Sequence, residues 1–237
     1  MKCIHLTIAA AGILGIAAEA ADAVIIADLH DDFVPGAAAG DAAIFSAASG
    51  LGTWQGLTST SFNPTVGATS LLEWDTVLEG YERPWDPHTN GFTETTFGPQ
   101  TTDEEVVFHP ASTTRIVSRF TAGADFANVR LTGSARKGDD GGGNGLTIGL
   151  FVDGTMLFSE ALAFDDLTGF TFDEQLASLA SGSTVDLVVD SNGSSFFDTT
   201  LVTFTIEQIE VIPLPAPAAM AGVGLLASLV ARRRFRG

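Results

Sequence analysis

The stretch LTIGLFVDGTMLFSEAL, residues 146–162, decides the fold class. Two runs rich in β-formers flank Asp153-Gly154, the residue pair that a two-residue hairpin turn with positive φ at both central positions prefers. The spacing predicts a β-hairpin pairing Leu146–Val152 with Thr155–Leu162. Outward from it, apolar residues recur at every second position. Val129, Leu131, Gly133 and Ala135 alternate with Arg130, Thr132, Ser134 and Arg136; Val185, Leu187 and Val189 alternate with Asp186, Val188 and Asp190. Val202, Phe204 and Ile206 alternate with Thr203, Thr205 and Glu207. Period two with one face apolar is the pattern of antiparallel strands buried on one side and wet on the other. Turn-forming clusters at 138–145, 165–169, 181–183 and 191–195 separate these runs at short intervals. No stretch sustains a helical period, and there is no internal repeat or long linker. The expected fold is all-β, an antiparallel β-sandwich of jelly-roll type, built on one body at 24–212.

That body carries six basic residues against 27 acidic ones, a net charge of −21. Such a surface repels nucleic acid and anionic lipid and attracts divalent cations only loosely. The single cysteine, Cys3, precedes the body, so neither disulfides, thiol nucleophiles nor thiolate metal sites are expected within it. A chain of this length can bury a core large enough to fold without such staples.

The two ends read differently from the body. Residues 1–23 have the order of a secretory signal: Lys2, an apolar run over 6–18, then small-x-small sites ending at Ala20 and Ala23 for signal peptidase. Residues 213–237 hold Pro213, Pro215 and Pro217, an apolar run of 14 residues over 218–231, and then Arg232, Arg233, Arg234 and Arg236. The prolines end the body. The apolar run reaches a membrane-spanning length of roughly 20 residues only if 212–217 is included, and the arginines would hold its far end inside the cell. A signal helix and a C-terminal transmembrane helix are therefore expected at the two ends.

The order Ile212-Pro213-Leu214-Pro215-Ala216, apolar helix, arginine cluster resembles the PEP-CTERM family of sorting signals, in its Val-Pro-Leu-Pro-Ala variant. Ala216 stands where the name-giving motif has glutamate, and Ile212 where the variant has valine. The resemblance implies sorting by an exosortase-type enzyme, passage through the membrane by the C-terminal helix, and delivery to the cell surface or extracellular matrix.

A second resemblance runs from Phe108 to Ile206. His109-Pro110, Arg115 to Phe120, Phe151-Val152-Asp153-Gly154 with Leu157-Phe158-Ser159, Gly182 to Asp186, and Asp198-Thr199-Thr200-Leu201 are together similar to a module common in PEP-CTERM surface proteins. That module is similar to galactose-binding-like jelly rolls, the architecture of many non-catalytic carbohydrate-binding modules. Phe120 replaces the module's tryptophan and Ala111 the glycine after His-Pro, so no binding residue is carried over.

All three tryptophans and the only tyrosine lie at Trp54, Trp74, Tyr81 and Trp85. Flat rings stack on the C–H faces of sugars, which makes these four the expected polysaccharide-contacting set; the alternative is that they fill the core. Adjacent acids such as Glu73 and Asp75, or Asp139 and Asp140, abound, yet glycoside hydrolysis needs two carboxyls held across a cleft, and no spacing shows that. No nucleophile elbow, zinc-protease motif or phosphate loop occurs. Asp28 and Asp198, near the first and last strands, are the expected ligands if the body holds a structural calcium. The reading is a non-enzymatic exported protein that contacts polysaccharide. The alternatives are a purely structural matrix component and a secreted polysaccharide-degrading enzyme.

Overall fold

The computed structural model describes residues 23–38, 40–75, 80–82, 96–99, 105–138, 142–194 and 198–210. The expected signal and transmembrane helices, the cleavage residue Ala20, the sorting residues and Trp85 lie outside the described residues, whereas the second cleavage residue, Ala23, opens the first strand. Ala23–Val211 forms one compact unit.

Fifteen strands are present among the described residues, and every pairing between them is antiparallel. The N-terminal part supplies β1 (Ala23–Asp28), β2 (Ile44–Ser46), β3 (Gly52–Ser59), β4 (Thr69–Leu71), β5 (Glu73–Asp75), β6 (Gly80–Glu82) and β7 (Thr96–Pro99). The rest comprises β8 (Val106–His109), β9 (Arg115–Ala122), β10 (Phe126–Lys137), β11 (Leu146–Val152), β12 (Thr155–Leu162), β13 (Phe170–Leu179), β14 (Thr184–Asp190) and β15 (Thr200–Ile209). One sheet runs β13-β10-β15-β8-β7-β6-β5, with β1 also on β15; the other runs β12-β11-β14-β9-β3-β2, with β4 also on β3. From β8 onward the chain changes sheet at each step except the β11–β12 hairpin. The resulting orders β8-β15-β10-β13 and β9-β14-β11-β12 are those of an eight-strand jelly roll. The span of these strands matches the stretch that carries the second resemblance.

The hairpin forms at the predicted residues, with Asp153 at φ 49° and Gly154 at φ 75° closing its two-residue turn. Apolar side chains from both sheets meet in one core that includes Val129, Leu131, Ala135, Leu150, Leu187, Val202 and Phe204. In β14 the expected wet face is absent, for Asp186 and Val188 are as buried as Val185 and Leu187. The cause is non-local. The loop between β3 and β4 lies over the outer face of this sheet, where Phe62 packs on Phe151 with ring centroids 5.6 Å apart. Asn63 Nδ2 donates to the Gly154 carbonyl at 2.9 Å. Leu57, Val117, Phe151 and Val188 thereby form a second, smaller apolar cluster.

Candidate functional site

Trp54 is not a surface platform. It is 0% exposed, and its indole Nε1 donates to Asp32 Oδ2 at 2.9 Å. Its ring meets Phe120 at 5.2 Å and Phe204 at 5.9 Å. The register sets Trp54 directly opposite Phe120, on the inner side of a strand flanked by neighbours on both edges, and this places the indole in the core. Trp74 in β5 stands across from Tyr81 in β6, and Tyr81 across from Phe97 in β7.

Asp28 and Asp198 stand at different levels of the terminal strand pair. The terminal strands do pair, as their reading supposed, but the register puts Asp28 opposite Thr205, whereas Asp198 precedes the start of β15 at Thr200. Five strand residues span about 16 Å. Asp28 accepts from the His30 and Asp31 amides at 3.1 and 3.2 Å and from Thr205 Oγ1 at 2.7 Å, and so holds the turn that follows β1. Asp198 is buried beside Lys137, with Nζ 3.3 Å from Oδ1. Among the described residues no group of three potential ligands is brought together.

An open cleft with aromatic lining lies elsewhere. Strands β12 and β13 are each the outermost strand of their sheet, and together they border a cleft of about 310 Å³. Phe158 and Glu160 of β12 sit opposite Leu150 and Ile148; Phe170, Phe172 and Glu174 of β13 sit opposite Ala135, Gly133 and Leu131. Directly opposed residues share a sheet face, and Leu131, Ala135, Ile148 and Leu150 are core residues. The three rings and two glutamates therefore face into the gap between the sheets at its unsealed side.

Gly133 makes room for the rings. A Cβ at this position would meet Phe172 Cζ at 2.5 Å and also collide with the Thr203 carbonyl, so only glycine lets Phe172 lie across β10. Phe172 then packs on Phe158 at 5.0 Å and on Phe204 at 5.8 Å, while Phe158 meets Phe170 edge-on at 6.1 Å. Phe172 is nearly buried at 8% exposure, and Phe158 and Phe170 are half-buried. Glu174 is half-buried and Glu160 exposed. On the rim, Arg130 grips Asp173 through two hydrogen bonds of 2.8 and 2.7 Å, which hold that carboxyl below the usual carboxylate range.

The half-exposed rings of Phe158 and Phe170 and the two carboxylates can together hold a polyhydroxylated ligand. None of these five residues was among the expected contact residues, although Phe158 lies within the second resemblance. The available signal was phase: in Phe158-x-Glu160 and Phe170-x-Phe172-x-Glu174 a glutamate occupies the apolar phase of its strand, which a sealed core would not tolerate.

No family model and no curated relative matches this chain. Among solved structures, it is similar to CBM51 from Clostridium perfringens GH95, solved in complex with methyl-galactose. That overlap has a TM-score of 0.36 and 14% identity, and covers 79% of this chain and 100% of that one. A family 35 carbohydrate-binding module from an environmental isolate overlaps with a TM-score of 0.26 and 19% identity over 52% of this chain and 83% of that one. The Agl-KA catalytic domain overlaps with a TM-score of 0.24 and 12% identity over 46% of this chain and only 24% of that one. All three scores are low.

Proposed function

We propose that this is a non-catalytic, polysaccharide-binding protein of the cell surface or extracellular matrix, which holds its ligand in the cleft between β12 and β13. The observation that supports this most is the opening of three packed rings and two carboxylates between the sheet edges, where a sandwich built only for stability would be sealed. Export by residues 1–23 through signal peptidase, and sorting by residues 213–237 through an exosortase-type enzyme, would bring that cleft to extracellular polysaccharide. Ring and hydroxyl contacts require no bridging cation, so binding is expected with and without calcium.

Glu160 and Glu174 come from different strands at one cleft, which gives the degrading-enzyme reading its one specific support. Hydrolysis asks for an enclosed acid, however, and Glu160 is exposed while Glu174 is only half-buried. The test is a glycan array probed with the purified full-length chain and with a Phe158→Ala, Phe170→Ala variant. Binding that is lost in the variant, with no release of reducing ends, supports the proposal. Absence of binding to every glycan would leave the purely structural role, and release of reducing ends would restore the enzyme.

A further inference from the structure

The glycan-binding reading leaves the ligand class open, and the distribution of charge narrows it. Five cationic side chains of the body are described, and each already has a carboxylate. Arg115 pairs with Asp190 at 2.9 Å, Arg119 with Asp186 at 2.6 Å and Arg130 with Asp173 at 2.7 Å. Arg136 pairs with Glu105 at 2.6 Å and Lys137 with Asp198 at 3.3 Å. Among the described residues, then, every cation is already matched by an acid. The cleft shows the reverse. Among the described residues Glu160 and Glu174 enter no ion pair, and both sit beside the rings of Phe158, Phe170 and Phe172 on a body of net charge −21.

Resting on the glycan-binding reading, we propose that the cleft selects a polysaccharide bearing protonated amines, of the class of a partly deacetylated amino-sugar polymer. The charge complementarity is direct. A sugar ammonium can donate to the Glu160 or Glu174 carboxylate while its ring stacks on phenylalanine, and a cation held against an aromatic face gains further attraction. A uronate or sulfate polymer would instead meet two carboxylates and the negative field of the whole body. A neutral polymer would keep the stacking and lose the ion pairs. The same two glutamates, pointing inward on edge strands, could alternatively serve to discourage pairing with another chain's edge.

Binding of the full-length chain to partly deacetylated poly-N-acetylglucosamine, to its fully acetylated counterpart of equal length, and to a polyuronate separates these roles at pH about 6, where sugar amines are protonated. An oligolysine of matched charge controls for bulk attraction. The deacetylated polymer should bind at least about tenfold more tightly than the acetylated one, and the preference should shrink as salt shortens the screening length. The polyuronate should not bind, and oligolysine should compete poorly because it offers no ring to stack. In a Glu160→Gln, Glu174→Gln variant, affinity for the deacetylated polymer should fall to that for the acetylated one. Equal binding of both polymers by the unaltered chain would overturn the amine inference and leave the glycan reading standing. Binding of neither would overturn the amine inference, and the glycan reading would fall with it only if the glycan array were also blank. A preference that survives in the glutamine variant, or competition by oligolysine at equal strength, would place the attraction outside the cleft and overturn the site. Unchanged binding with new dimerisation of the variant would also overturn it, and would give the glutamates the edge-guarding role.

Discussion

The rings around Trp54 and the rings around Phe158 belong to one continuous run of aromatic contacts, Phe120–Trp54–Phe204–Phe172–Phe158, yet its two ends meet opposite fates. At the Trp54 end the strand has neighbours on both edges and a buried carboxylate receives the indole N–H. At the Phe158 end both sheets run out, and the rings line a cleft with glutamates among them. Ring type does not decide which aromatics can touch a ligand. Trp54, whose ring type is the best suited to stacking, is sealed in, and Phe158 is left open. Position in the strand order decides.

The largest expected difference follows directly. Trp54→Ala removes a fully buried indole and takes one of its hydrogen-bond donors from Asp32, and should cost about 3–5 kcal/mol of stability. Phe158→Ala removes a half-buried ring and should cost about 1 kcal/mol while abolishing glycan binding. Denaturant unfolding together with glycan binding measures both. If Phe158→Ala proves the more destabilising, the cleft end is part of the core and the comparison collapses.

Asp32 sharpens the closed end. Its carboxylate accepts the Trp54 indole N–H at 2.9 Å, the Asp28 amide at 2.9 Å and the Ala48 amide at 2.6 Å. Asp32→Ala should leave those donors unsatisfied at a cost of about 1–3 kcal/mol, with glycan affinity unchanged. A loss of affinity at full stability would show that the closed end does more than support the fold.

Gly133 tests the junction between the two ends. Gly133→Ala forces Phe172 off β10 and crowds the Thr203 carbonyl, and should cost about 1–2 kcal/mol by overpacking. Because Phe172 touches Phe158, glycan affinity should fall as well, whereas Asp32→Ala leaves it intact. Unaltered affinity in Gly133→Ala would mean that the cleft rings are placed independently of the core.

The fold was legible where local chemistry dictates it. Asp153-Gly154 accounts for its hairpin, and period-two runs with turn clusters account for the jelly-roll strands from β8 to β15. The site was legible only in outline, because it depends on which strands end their sheets. Trp54 and Phe158 both lie in strands, and nothing in the residues beside either shows that β3 has neighbours on both edges while β12 is an edge. Val188 was misread for the same reason, since its cover, Phe62, is more than a hundred residues away. The terminal strands near Asp28 and Asp198 do pair, but the register that sets the two residues apart has no local signature.

The smallest expected effect distinguishes a covered face from an open one by the sign of its pH dependence. Asp186 and Asp173 each take two hydrogen bonds from an arginine, Arg119 and Arg130 respectively. Asp186 lies on the outer face that the β3–β4 loop shields and is fully buried, and burial pushes its carboxyl above the usual carboxylate range even against the opposing pull of Arg119. The same pairing raises Arg119, which simply stays charged, so the aspartate sets the pH response. The folded chain then holds the Asp186 proton more tightly than the unfolded chain. Its contribution to stability is complete below the ordinary carboxylate range and is lost as pH rises through the raised value. Asp173 is the reverse, for its hydrogen bonds to Arg130 lower its carboxyl, and its contribution is present above the ordinary range and is lost as pH falls through the lowered value. Comparing unfolding midpoints from acid to neutral pH, Asp186→Asn should gain on the unaltered protein as pH rises, and Asp173→Asn should fall behind it. Salt should flatten the Asp173 difference, because that pair is exposed, and leave the Asp186 difference nearly intact. Slopes of the same sign would mean that the loop does not seal the outer face, and Val188 would then be on a wet surface after all.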